Sequence, residues 1–462
     1  MKKYLLVILT CLVVYGASAQ NFPNQTYRSN YETIMNRTEW WRQARFGMFI
    51  HFGAYAVPAS GEWFKSNKKL TTEEYQKYID DFNPDLFDAR KWAKLAKEAG
   101  MKYAVLTAKH HDGYCLFDSK LTDYKISTYM PERDLVREYL EAFRAEGLKV
   151  GLYYSVIDWH HKDYPNVGNH PQREDEEYGK QKFDWDNYLK YMHGQVEELV
   201  TNYGNIDIMW FDYSFGEYKG EKWKSRELIE MVRKHQPDII LNNRLVGDGG
   251  SSIFDAEYPL GDFNTPEQQI PEAPVKDQYG NLVPWETCLT LNNSWGYKAT
   301  DSDWKSPQLV IHTLVNCVSK GGNLLLNVGP NAKGVIPEPS VKILQEVGKW
   351  MSKNGESIYA CGIPELPKTD WGRYTQNGNR LYAHWMYPHL GGINIKGYAE
   401  KTKQVILLHD GSEAHTFTSW WGNRNKDNFF INVKAYPHFA YQLPDDIDTV
   451  FRLELKNVES DQ

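Results

Sequence analysis

The chain carries few of the features that would assign it to a special class. Five cysteines in 462 residues, none at metal-ligand spacing from another, give neither a disulfide framework nor a zinc site. No apolar run is long enough to cross a bilayer, which takes about 20 residues. No G-x-G-x-x-G follows a strand-like segment, so dinucleotide binding lacks its fingerprint, and there is no phosphate loop or nucleophile elbow. Positive charge is not in excess: the formal net charge is −7, which argues against nucleic acid as a partner. Internal repeats and low-complexity linkers are absent. What is abundant is aromatic: 16 Trp, 31 Tyr and 19 Phe. Such rings build cores, and they also offer flat faces to the C–H surfaces of sugars.

The N-terminus reads as a secretory signal. Lys2 and Lys3 precede an apolar run from Tyr4 to Val14, and Ala17-Ser18-Ala19 forms an A-x-A cleavage site before Gln20. The run is short for a membrane anchor, and Cys11 lacks the small residues of a lipoprotein site before it. Residues 1–19 are therefore expected to be removed, with no membrane span in the mature chain. Export puts the protein in the periplasm if the source is a Gram-negative bacterium. Cys115, Cys288, Cys317 and Cys361 remain, as buried thiols or as disulfides.

Beyond the signal, strand-like and helix-like segments alternate. Strands are expected at 46–52, 102–109, 149–155, 206–212 and 238–243, with weaker ones near 261–265, 285–291 and 323–328. Between them run amphipathic helices, such as the one bearing Trp92, Leu95, Ala96 and Ala99 and closed by Gly100. Ser306 followed by Pro307 marks another helix start. This alternation over some three hundred residues predicts a (β/α)8 barrel in preference to an open doubly wound sheet. From about residue 364 the pattern turns to short β-rich runs at 380–386, 403–409, 428–433 and 449–455, a β-sandwich signature. The expected domains are a barrel over 20–362 and a sandwich over 363–462.

The peptide Ile206–Tyr213 locates the candidate chemistry. In a strand, Trp210 and Asp212 share one face, delivering an aromatic and a carboxylate together at the C-terminal end. That end is where barrels place their active sites. Polar groups gather at the other predicted strand ends: His51, Lys109-His110-His111-Asp112, Tyr153-Tyr154-Ser155, Asn242-Asn243-Arg244, Glu267 and Glu286. Any one of them has a commoner structural use; their concentration on one side of a barrel does not. Carboxylates with histidines, aromatics and an arginine suit glycoside hydrolysis. A metal held by His51, His110, His111 and Asp112 is the competing use, and the spacing of these residues does not favour it.

Together FGMFIHFGAYAVP with GEWF, KHHDGYCLF, GLYYS, MWFD, NNR, TPE, WETC with SWGY, and GGNLLLNVGP resemble the α-L-fucosidases of glycoside hydrolase family 29. The motifs run in family order from about Trp40 to Trp350. The resemblance implies a retaining mechanism on fucosylated oligosaccharides or glycoconjugates, with no cofactor and no metal. It implies Asp212 as nucleophile and a sugar pocket lined by His51, Glu62, Trp63, His110, His111, Tyr154, Trp210, Arg244 and Trp295. For the acid/base, Glu267 in the Thr265-Pro266-Glu267 loop is preferred over its rival Glu286 in the W-E-x-C motif. A fucose-binding protein without catalysis, or a glycosidase for a related sugar such as an α-L-galactoside, are the alternatives.

Overall fold

The computed structural model describes residues 20–246, 254, 259–389, 391–418, 427–433 and 443–456. The signal-like segment 1–19 lies outside the described residues. Seven parallel strands form one curled sheet: β1 (Phe46–Ile50), β2 (Tyr103–Lys109), β3 (Lys149–Ser155), β4 (Ile208–Asp212), β5 (Ile240–Leu241), β6 (Glu286–Thr290) and β7 (Asn323–Val328). Their order is β5-β4-β3-β2-β1-β7-β6. Nearly every strand position is buried, as a sheet covered on both faces requires.

The weak strand expected near 261–265 is not a full strand, yet it occupies the eighth position. Asp262 N–H donates to Leu241 O (2.7 Å) and Asn243 N–H to Phe263 O (3.0 Å) on one side. On the other, Asn264 N–H donates to Pro284 O and Glu286 N–H to Asn264 O, both at 2.9 Å. The segment thus closes the ring by isolated bridges between β5 and β6. Side chains replace part of the ladder here. The buried Asp262 carboxylate accepts from Leu241 N–H (2.8 Å) and is held by Arg37 and Arg233, both at 2.7 Å.

Six helices pack outside the barrel: Ala89–Glu98, Leu135–Ala145, Trp185–Asn202, Ser225–His235, Pro307–Val318 and Glu338–Asn354. Four are capped by side chains, with Asp88, Asp134, Asp184 and the expected Ser306 accepting from first-turn N–H groups. Inside the ring lies a separate core that includes Trp41, Phe49, Tyr103, Tyr153, Trp210, Phe263 and Cys288. Trp41 enters it from the helix Glu39–Ala44, which precedes β1.

The helix Glu338–Asn354 is the last of the barrel, and the next strand is β8 (Gly372–Asn377). It is followed by β9 (Arg380–Trp385), β10 (Ile393–Asn394), β11 (Thr402–Leu407), β12 (His415–Phe417), β13 (Phe430–Asn432) and β14 (Thr449–Leu455). Antiparallel sheets β11-β14-β9-β8 and β10-β13-β12 enclose their own apolar core around Trp371, Trp385, Ile431 and Phe451. Strands β8, β10 and β12 were not expected; they are short or carry mixed patterns. The seam with the barrel is buried, with apolar contacts from Tyr382, Met386 and Val450 beside a polar cluster. His384 is held between Asp448 Oδ2 (2.7 Å) and Thr375 Oγ1 (3.0 Å), while Trp350 Nε1 donates to Asp448 O (2.9 Å). The four described cysteines are buried free thiols.

Candidate active site

At the C-terminal ends of the barrel strands lies a cavity of about 280 Å3. Asp212, the last residue of β4, projects into it. The carboxylate is 14% exposed and fully engaged: Tyr153 OH donates to Oδ2 at 2.7 Å and Arg244 NH1 to Oδ1 at 2.8 Å. Burial alone would raise its pKa. Arg244, His111 and Tyr153 outweigh burial and hold Asp212 below the ordinary aspartate value. The carboxylate is therefore kept ionised.

Arg244 follows β5, and its guanidinium links two carboxylates. NH1 binds Asp212, and NH2 binds Glu267 Oε2 at 2.8 Å. Its carbon lies 4.5 Å from the centre of the Trp210 ring, a cation–π contact that supports the guanidinium from the barrel interior. Glu267 belongs to the irregular segment after Asn264 and is 41% exposed, so its carboxyl can turn toward a ligand. Asp212 and Glu267 thus meet across one cationic clamp.

The histidines supply neutral hydrogen-bonding groups. Asn327 Nδ2 donates to Trp295 O (2.8 Å), which orients its Oδ1 toward His51 Nδ1 at 2.7 Å. His51 therefore carries its proton on Nδ1 and offers the lone pair of Nε2. Ser155 Oγ donates to Ile157 O (2.8 Å) and so accepts from His111 Nδ1 (2.7 Å). His111 likewise presents Nε2 as an acceptor, 3.9 Å from Asp212 Oδ2. Burial lowers His51 to about 3 and His111 to about 4, and pushes His110 well down too. All three are uncharged near neutral pH and suited to sugar hydroxyls. His110 Nδ1 is buried without a partner. Trp63, Trp295, Phe49, Tyr213 and Phe215 complete the walls.

Three sequence expectations need correction. Tyr154 does not line the cavity. Its neighbour in β4 is Phe211, and both face outward; its hydroxyl donates to Gln195 Oε1 (2.8 Å) beneath the helix Trp185–Asn202. Tyr153, paired with Trp210, takes the inward place instead. The period of two in β3 carried that signal, since one of two adjacent tyrosines must point away. Glu62 lies behind the wall: Oε2 accepts from Gly296 N–H (2.7 Å) and braces the loop bearing Trp295. A Cβ at Gly296 would come within 2.8 Å of the Tyr55 ring, so the loop needs glycine there. Glu286 is the third. It opens β6 rather than ending it, opposite Asn323, and its side chain is buried in the barrel interior with Trp41 and Tyr103.

His51, Trp63, His110, His111, Trp210, Asp212, Arg244, Glu267 and Trp295 all line the one cavity. Sequence reasoning missed Phe49, Tyr213, Phe215 and Cys288 on the cavity wall, and the orienting amide of Asn327. Asp112 points elsewhere, accepting from Tyr75 OH at 3.1 Å, and burial raises it to about 6. Among the described residues, no group of three or more His, Cys, Asp or Glu side chains is placed to hold a metal ion.

The α-L-fucosidase family model matches residues 14–356. An α-L-fucosidase of Dictyostelium discoideum is 31% identical over 394 residues, covering 78% of this chain and 80% of its own. The human tissue α-L-fucosidase is 29% identical, covering 94% of each. Among solved structures, α-L-fucosidase isoenzyme 1 of Paenibacillus thiaminolyticus is 51% identical with a TM-score of 0.88, covering 92% of this chain and all (100%) of that one. A family 29 α-L-fucosidase of Bacteroides thetaiotaomicron, trapped as a covalent intermediate with 2-fluoro-fucosyl fluoride, is 30% identical. Its TM-score is 0.77, over 91% of this chain and 96% of that one. The chain belongs to the α-L-fucosidase family.

Proposed function

We propose that this protein is a retaining α-L-fucosidase that removes terminal α-L-fucosyl units from glycans, with Asp212 as nucleophile and Glu267 as acid/base. The observation that carries this reading is the Arg244 clamp, which joins the two carboxylates at 2.8 Å each across one small cavity. A volume of about 280 Å3 is at the low end for ligand pockets and suits a single sugar ring, hence action at chain ends.

In the first step Asp212 attacks the anomeric carbon while Glu267 gives a proton to the glycosidic oxygen, and the aglycone leaves. The product is a fucosyl ester on Asp212. Glu267, now ionised, takes a proton from water, which attacks the same carbon and releases fucose with its original configuration. The neutral imidazoles accept from ring hydroxyls, and these bonds strengthen as the sugar acquires oxocarbenium character. As the ester forms, Asp212 loses its charge, and Arg244 remains paired with the carboxylate left on Glu267. The positive clamp therefore always faces at least one anion along the path.

The test is Asp212→Ala with a chromogenic α-L-fucoside. Turnover should fall by several orders of magnitude, and added azide should restore part of it, giving fucosyl azide of inverted configuration. Proton NMR of the wild-type reaction should show the α anomer of fucose first. Near-normal turnover by the variant removes Asp212 from its role, and initial β-fucose overturns the retaining mechanism. Export is part of the same reading, supported by the A-x-A site before Gln20; a mature N-terminus at Gln20 on secreted or periplasmic protein tests it.

A further inference from the structure

Glu286 is a carboxyl of the sequence motifs that the mechanism leaves unused. It is fully buried in the barrel interior, on the same face of β6 as Cys288, which lines the cavity. Every group around it is a donor. Trp41 Nε1 donates to Oε2 at 3.2 Å, and Tyr103 OH donates to the same oxygen. Asn323 Nδ2 donates to the Tyr103 oxygen at 3.3 Å, so the phenol's own proton is committed to Glu286.

Oε1 of Glu286 makes no hydrogen bond, and neither does Nε1 of Trp210, although both atoms are buried. Burial raises the Glu286 carboxyl to about 7, and Tyr103, Trp41 and Trp210 favour its charged form against that burial. A buried donor and a buried acceptor, each unsatisfied, thus belong to one interior core, in which Trp41 and Tyr103 pack with Trp210 and donate to Glu286. Above them the Trp210 ring carries the Arg244 guanidinium, which holds Asp212 and Glu267.

We propose that Glu286 is a positioning residue: its free carboxylate oxygen anchors the indole N–H of Trp210 from inside the barrel, and the anchored ring seats Arg244 between Asp212 and Glu267. The inference rests on the functional reading above, because it concerns how that pair of carboxylates is set. Glu286 itself touches no substrate.

Glu286→Gln separates the two oxygens. The amide oxygen stays with the two donors Trp41 and Tyr103, and the NH2 group then faces the indole N–H, donor against donor. Loss of the anchoring contact should lower kcat about tenfold. KM should stay within about twofold, because the ground-state contacts to the sugar are unchanged. The loss should be the same for an aryl fucoside and for a fucosylated oligosaccharide, since Arg244 sets both carboxylates. Trp210→Phe keeps a ring face under Arg244 and removes only the N–H side of the indole, so it should lose at least as much kcat by itself. In the Trp210→Phe background, Glu286→Gln should cost less than about twofold more.

Equal losses in both backgrounds would overturn the proposal, as would a loss confined to KM. If Glu286→Gln does not fold, Trp210→Phe alone decides: wild-type kcat in that variant also refutes the anchoring. Wild-type turnover of the aryl fucoside in the same assay tests the functional reading separately, so the two failures are distinguishable.

Discussion

Replacing Tyr153 by phenylalanine removes one oxygen atom from the cavity wall and leaves its packing intact. That hydroxyl is buried and donates to Asp212 Oδ2 at 2.7 Å. A hydrogen bond to a charged group contributes about 1.5–3 kcal/mol, equivalent to about one to two pKa units when only the ionised form receives it. The sign follows from the balance at Asp212: burial raises its pKa, and Arg244, His111 and Tyr153 together bring it below the ordinary value. Without the Tyr153 donor, the pKa rises. Catalysis needs ionised Asp212, so the acid limb of kcat/KM should move to higher pH. His111, at about 4, contributes to the same limb, because its protonated ring no longer accepts from substrate. The phenylalanine acts on the Asp212 part of this limb, so the limb should lie at higher pH in the variant than in wild type. The assay is kcat/KM for an aryl fucoside from about pH 3 to pH 8, with melting curves at each pH to exclude unfolding. Tyr154→Phe is the control: its hydroxyl binds Gln195 outside the barrel, and the profile should not move. Superimposed profiles for Tyr153→Phe and wild type would refute the assignment of Tyr153 to the ionisation of Asp212.

Glu267→Ala should cripple turnover of oligosaccharides far more than that of an aryl fucoside with an acidic phenol, because a good leaving group needs no proton. Equal losses for the two substrates, measured as kcat/KM, would remove Glu267 from the acid role. Glu62→Ala, which unties the Gly296 N–H, should raise KM for both substrates by a similar factor through loosening of Trp295, and an unchanged KM would count against that bracing. His384→Leu leaves Asp448 Oδ2 buried without its 2.7 Å hydrogen-bond partner and should cost about 1–3 kcal/mol of stability in denaturant titration. A change under about 0.5 kcal/mol would mean that the sandwich does not depend on that pair.

Much of the barrel was readable because each level of the chain agrees with the next. Apolar runs of strand length alternate with amphipathic helices whose caps, Asp88, Asp134, Asp184 and Ser306, are encoded locally. The eighth strand was hard to read for a physical reason: its pairing is carried by four main-chain bonds and the Asp262 side chain, so the segment needs no apolar run. The sandwich strands β8, β10 and β12 escaped because two- to six-residue edges with mixed patterns carry little periodic signal.

By itself the sequence determined the fold class, the strand ends where polar groups gather, and the carboxylate of Asp212, since these depend on local periodicity and on motif order along the chain. Which side chains face the cavity was decided in three dimensions. The cross-strand pairing of Tyr153 with Trp210 turned Tyr154 outward, and closure of the ring put Glu286 among Trp41, Tyr103 and Trp210 inside the barrel. Arg244 and Glu267 stand 23 residues apart in the chain, and Arg244 and Asp212 stand 32 apart. Only the curvature of the sheet brings all three together, because a hydrogen bond between distant residues depends on where the backbone returns and leaves no trace in the residues between.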